Sequence, residues 1–163
     1  MADEKAASEY VWRYDDFGRR QPAGGEDGPL AGGADRSTAK RSVVVLAVDD
    51  DPTIHDAMRL VLPRSYRLIG LSEGKEFMQM VEAYEPDLII LDVHLPGESG
   101  FVLCQRLRAR PEFRHIPVLF LTVVAEDVAF RELLEVHGDA YLPKPFEPAS
   151  LRDTVERLVG WRL

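Results

Sequence analysis

Cysteine is nearly absent from this chain: Cys104 is the only one in 163 residues. A lone thiol excludes an internal disulfide framework and a multi-cysteine zinc site, and it fits a reducing compartment. Basic charge is in deficit too, with 20 Lys and Arg against 28 Asp and Glu, a net of −8. That excludes a broad basic face for nucleic acid on the chain as a whole. Long apolar runs are missing as well, for none approaches the roughly 20 residues that span a bilayer. Met1-Ala2-Asp3-Glu4-Lys5 does not open on the apolar stretch of a secretory signal. The expectation is a cytoplasmic protein with no membrane segment and no direct nucleic-acid contact.

Aliphatic residues are scarce at the start. Within residues 1–42 the only Leu, Ile, Val or Phe are Val11, Phe17 and Leu30. From Gly18 to Gly33, eight of sixteen residues are Gly or Pro. So little apolar surface cannot offset the entropy of ordering the chain. Residues 1–42 therefore read as a flexible N-terminal extension. Tyr10, Trp12 and Tyr14 alternate within it, which puts three rings on one side of an extended strand. The alternative to a plain tail is thus a peptide that docks on the following domain or on a partner.

Residues 43–163 read as one folded domain. Val43 to Val48 is an apolar run ended by Asp49-Asp50-Asp51-Pro52. Asp51 suits a helix N-cap and Pro52 a first turn. Ile54, Ala57, Met58, Val61 and Leu62 follow helical spacing until Pro63. Further strands are expected over Tyr66–Leu71, Leu88–Leu91, Pro117–Leu121 and Asp139–Leu142. Helices are expected over Glu73–Tyr84, Ser99–Ala109, the stretch reaching about Val136, and Pro148–Val159. Strands without polar alternation belong to a parallel sheet covered on both faces. Right-handed crossovers then give a doubly wound α/β fold of three layers, five parallel strands between helices.

In such sheets, sites form at the carboxyl ends of the strands. Here those ends carry Asp49-Asp50, Asp92 and Thr122, with Lys144-Pro145 after the last strand. A single Asp after a strand is ordinarily a cap or turn residue. Three carboxylates on one edge repel one another unless a cation sits among them. A hard divalent ion with oxygen ligands, Mg²⁺ most naturally, meets that need.

Residues 43–163 resemble the receiver domain of two-component response regulators. The resemblance is carried by Val48-Asp49-Asp50-Asp51-Pro52, Leu91-Asp92-Val93-His94-Leu95-Pro96-Gly97, Leu121-Thr122 and Tyr141-Leu142-Pro143-Lys144-Pro145-Phe146. Each piece is weak alone, and the ordered set is specific. It implies a flavodoxin-like sheet of order 2-1-3-4-5. It implies Asp92 as phosphoacceptor, taking a phosphoryl group from a sensor histidine kinase or a histidine phosphotransfer protein. Asp50 and Asp92 would bind Mg²⁺ directly, Asp49 through water, and the backbone carbonyl of His94 would add a ligand. Lys144 and Thr122 would contact the phosphoryl oxygens, and Lys144-Pro145 would be cis. Thr122 and Tyr141 would form the switch that changes the surface of the fourth helix, fifth strand and fifth helix for a downstream partner.

Three residues depart from the commonest pattern of that family. Val123 stands where a small residue is usual, Pro143 removes an amide donor before Lys144, and His94 is an uncommon choice two residues after Asp92. His55, His115 and His137 read as surface or loop residues, Cys104 as a buried thiol, and Arg106, Arg108 and Arg110 as a solvated helix end. A pseudo-receiver that binds without phosphorylation is a rival reading, opposed by the presence of Asp50, Asp92, Thr122 and Lys144. An aspartyl-nucleophile phosphatase is a weaker one, because His94 stands where its second Asp would be. The sequence ends soon after the last expected helix, so a stand-alone phosphorelay regulator and a receiver cut from a longer chain are both expected forms. Homodimerisation is left open.

Overall fold

A computed structural model describes residues 42–123 and 136–160, and the backbone of Trp12–Tyr14 and Arg20–Pro22. Five parallel strands form the body of the sheet: β3 (Val43–Val48), β4 (Tyr66–Leu71), β5 (Leu88–Asp92), β6 (Val118–Thr122) and β7 (Ala140–Pro143). Their order is β4-β3-β5-β6-β7, the expected 2-1-3-4-5. Two short strands extend the sheet beyond β4. β1 (Trp12–Tyr14) pairs antiparallel with β2 (Arg20–Pro22), and β1 also pairs with β4, Trp12 opposite Gly70. Among the described residues the sheet therefore has seven strands and is mixed at one edge. These two strands lie inside the segment read as a flexible extension. Their place has a physical reason, since β4 would otherwise end the sheet with unpaired backbone groups.

The helices are α1 (Pro52–Val61), α2 (Phe77–Tyr84), α3 (Gly100–Arg108) and α4 (Pro148–Gly160). Alternate strand residues feed two cores. Leu46, Val48, Ile89, Leu91 and Phe120 meet Phe77, Met80 and Val81 of α2 and Leu103, Cys104 and Leu107 of α3. Val45, Ala47, Ile90, Leu119 and Leu121 meet Met58 of α1 and Leu151, Val155 and Leu158 of α4. Both faces of the central strands are thus buried, which is why their sequences are unbroken apolar runs. Among the described residues no helix is long and apolar enough to cross a membrane.

Local chemistry sets the boundaries. The Asp51 side chain caps α1 by accepting from the Thr53 amide at 2.8 Å, with Pro52 in the first turn. The second helix begins at Phe77 rather than Glu73. Gly74 favours the turn that precedes it, where its carbonyl accepts from the Phe77 amide at 3.1 Å. The fourth expected helix falls on residues 124–135, outside the described residues.

Two aspartates tie the opposite end of the sheet. The Asp87 carboxylate accepts from the Val44 amide at 2.8 Å while the Asp87 amide donates to the Val44 carbonyl at 2.8 Å. Asp139 does the same to Val118, at 2.8 and 3.0 Å. Arg108 is not the solvated residue expected. Its guanidinium donates to the carbonyls of His137, Arg114 and Ile116 and to the Asp139 carboxylate, which holds it down against the loops.

Candidate functional site

Parallel strands carry their carboxyl ends to one edge, and here that edge is acidic. Asp49 follows β3, Asp92 ends β5, Thr122 ends β6, and Lys144 follows β7. α3 begins close behind Asp92, because a Cβ on Gly100 would stand 2.2 Å from the Asp92 carbonyl oxygen. Only glycine allows that approach. The helix is then started by Ser99, whose hydroxyl accepts from the Phe101 amide at 3.2 Å.

The groups converge tightly. Lys144 Nζ lies 2.6 Å from Asp49 Oδ2 and 3.0 Å from Asp92 Oδ2. The other oxygen of each carboxylate accepts a backbone amide, Asp49 Oδ1 from Asp51 at 2.9 Å and Asp92 Oδ1 from His94 at 3.0 Å. Asp49 is wholly buried, Asp92 nearly so, and Asp50 is exposed. One carboxylate oxygen from each of Asp49, Asp50 and Asp92 lies within 4.8 Å of the others. Thr122 is buried, and its carbonyl accepts the Lys144 amide at 2.7 Å. The Lys144–Pro145 peptide is cis.

Burial is the largest influence on Asp49 and pushes its carboxyl above the ordinary carboxylate range, against the hydrogen bonds from Lys144 and the Asp51 amide. Burial also opposes the Lys144 ammonium, yet hydrogen bonds and charge from Asp49 and Asp92 overcome it and hold that group above its usual value. The donor set of the acidic cluster is all oxygen with one carboxylate open to water. That chemistry fits Mg²⁺, which prefers hard ligands and keeps several waters.

Asp49, Asp50, Asp92, Thr122 and Lys144 all stand at the strand ends where the sequence puts them. The His94 side chain is exposed and only its backbone amide reaches Asp92. Tyr141 is half-buried, packs on the core and lies opposite Phe120 in the sheet. Val123 follows Thr122 and is 68% exposed. Cys104 is buried as expected, its thiol 3.3 Å from the Val136 carbonyl oxygen. His55 is a correction: it is buried, with Nε2 2.7 Å from the Asp49 carbonyl oxygen. Its spacing was the missed signal, since His55, Met58 and Leu62 share the buried face of α1 and its end.

Residues 45–156 match the family described as Response regulator receiver domain. The chain is 36% identical over 118 residues to the alkaline phosphatase synthesis transcriptional regulatory protein PhoP of Bacillus subtilis, covering 71% of this chain and 48% of PhoP. It spans about half the length, or less, of the curated relatives it matches. The chemotaxis response regulator CheY4 of Vibrio cholerae superposes with a TM-score of 0.65 at 28% identity, covering 71% of this chain and 98% of that one. The receiver domain of a sensor histidine kinase from Pseudomonas aeruginosa PAO1, solved with magnesium in its active-site cleft, gives 0.64 at 27% identity over 73% of this chain and 98% of that one. With the parallel sheet, the carboxylates at its edge and the lysine between them, these matches show that the chain belongs to the response regulator receiver domain family.

Proposed function

We propose that the chain is a phosphorylation-dependent signalling switch in which Asp92 accepts a phosphoryl group. The observation that carries this reading is the Lys144 ammonium held between Asp49 and Asp92, beside the exposed Asp50. An Asp92 oxygen attacks phosphorus, the bond from phosphorus to a histidine nitrogen breaks, and the freed histidine keeps the electron pair. A sensor histidine kinase or histidine phosphotransfer protein is the donor, and a cytoplasmic setting goes with it. Asp49, Asp50, Asp92 and the His94 carbonyl would hold Mg²⁺, which supplies charge neutralisation where a carboxylate meets a phosphoryl group. Lys144 pairs with one phosphoryl oxygen and the Thr122 hydroxyl donates to another. Later, water attacks phosphorus and returns Asp92 and inorganic phosphate. The chain acts on no outside substrate beyond this self-directed chemistry.

Thr122 and Tyr141 stand on adjacent strands near this edge, which supports their role as the switch pair. Movement of Thr122 toward the phosphoryl group opens space for the Tyr141 ring. The surface of the fourth expected helix, β7 and α4 would then change for a downstream protein. Incubation with acetyl phosphate and Mg²⁺ should add one phosphoryl mass, and Asp92→Asn should accept none. Normal labelling of that variant sinks the assignment, and failure of the unaltered chain to label favours a pseudo-receiver.

A further inference from the structure

We propose that His55 is a positioning residue for the acidic pocket and that the N-terminal strand β1 closes its seat. Three observations meet at one point of the sheet edge. The buried His55 ring places Nε2 2.7 Å from the Asp49 carbonyl oxygen. A carbonyl can only accept, so Nε2 carries the hydrogen and the other ring nitrogen, Nδ1, faces away from Asp49 toward the sheet. That Nδ1 lies over Gly70, where a Cβ would come within 2.3 Å of it. Gly70 is also the residue of β4 that faces Trp12 of β1.

A glycine inside a strand gives up packing and often marks a close approach. Here the missing side chain is the space the imidazole fills. The Asp49 backbone is then held from both ends, its amide donating to the Leu71 carbonyl at 2.9 Å and its carbonyl receiving His55. Both side-chain oxygens of Asp49 are engaged as well, by Asp51 and Lys144. A shift of this backbone therefore moves the carboxylate relative to Lys144. Without β1, β4 would be an open edge at Gly70, and open edges fray first. Fraying there loosens the floor beneath His55, and with it the hydrogen bond to Asp49. The N-terminal strand is in this way a part of the site's support.

The experiment uses the full chain. Trp12→Pro disrupts β1, because proline cannot donate to a strand ladder. Hydrogen–deuterium exchange should rise several-fold in residues 66–72 and also in residues 47–53, with residues 88–92 unchanged. Calorimetric titration with Mg²⁺ alone should give a several-fold loss of affinity in Trp12→Pro and in His55→Ala. His55→Gln retains an N–H donor and should remain close to the unaltered chain. Faster exchange confined to residues 66–72 would overturn the coupling, as would a glutamine variant no better than alanine. The titration rests on the magnesium reading above and the exchange does not. A chain that binds no Mg²⁺ would defeat that reading while the exchange still decided the role of His55.

Discussion

Lys144 Nζ stands 2.6 Å from the Asp49 carboxylate, a residue with no exposed surface. The same ammonium reaches Asp92 at 3.0 Å. The charge of two buried acids is thus met by one lysine that follows the edge strand β7, two strands away from β5. Lysine and a divalent cation would serve the same carboxylates, so each would lessen the need for the other.

Removing the lysine should expose that relationship. Lys144→Met leaves two buried carboxylates without a counter-charge, and breaking such a pair costs about 3 kcal/mol. Mg²⁺ should restore part of the loss, because it binds the folded site and not the unfolded chain. Urea unfolding with and without Mg²⁺ tests this. A variant whose stability ignores Mg²⁺ would show that the cation does not use these acids.

Asp50 offers a cleaner test of the metal. Its side chain is exposed, so Asp50→Ala should leave the fold intact, with stability changed by about 0.5 kcal/mol or less. Mg²⁺ affinity and labelling by acetyl phosphate should both fall. Unchanged Mg²⁺ binding in calorimetry would place the ion elsewhere.

The lifetime of the phosphorylated state is expected to depend on Val123. This branched side chain follows Thr122 at the rim, is 68% exposed and offers no hydrogen bond to orient water. Attack in line with the bond to Asp92 has demanding geometry, so a bulky neighbour slows it. Val123→Ala should shorten the lifetime of the label. Equal or longer lifetimes in the variant rule out shielding by this residue.

Alkaline pH should reveal the Cys104 thiol. Burial pushes it from 9.0 up to about 11. A group raised in the fold stabilises below its unfolded value and loses that contribution as pH climbs through the folded one. Between those limits the unfolded chain releases a proton that the native chain keeps, so stability falls by roughly 2–3 kcal/mol. Urea unfolding at about pH 8 and about pH 10.5 should show a smaller loss for Cys104→Ala than for the unaltered chain. Identical losses would mean that the thiol does not contribute.

The parallel sheet and the acidic edge were legible because each rests on a pattern within one segment. Val43–Val48 and Leu88–Asp92 are apolar runs closed by Asp, and the fold brings such ends together. The features that escaped depend on partners far away in sequence. Arg108 reads as a charged helix end until His137, Arg114, Ile116 and Asp139 are folded around it. His55 looks polar until Gly70 and Asp49 surround its ring. β2 escaped because glycine and proline crowd the stretch from Gly18 to Gly33, while a strand edge can order a backbone of almost any composition; β1 falls on the alternating Trp12 and Tyr14, whose extended spacing left docking on the domain open beside a plain tail. The start of α2 moved because Glu73 to Glu76 have adequate helix propensity apart from Gly74, and a turn there prevails.

The pins made by Asp87 and Asp139 bear on chemistry at the other end of the sheet. Asp87 clasps Val44, and five residues further along those two strands stand Asp92 and Asp49. Asp139 clasps Val118, and five residues beyond Asp139 stands Lys144. A slip of one residue would displace a strand by about 3.3 Å and turn its side chains to the opposite face. The pocket is therefore a vernier, with its zero set roughly 16 Å away from where it is read. Substitutions at Asp87 or Asp139, remote from any phosphoryl group, would act by misaligning the scale.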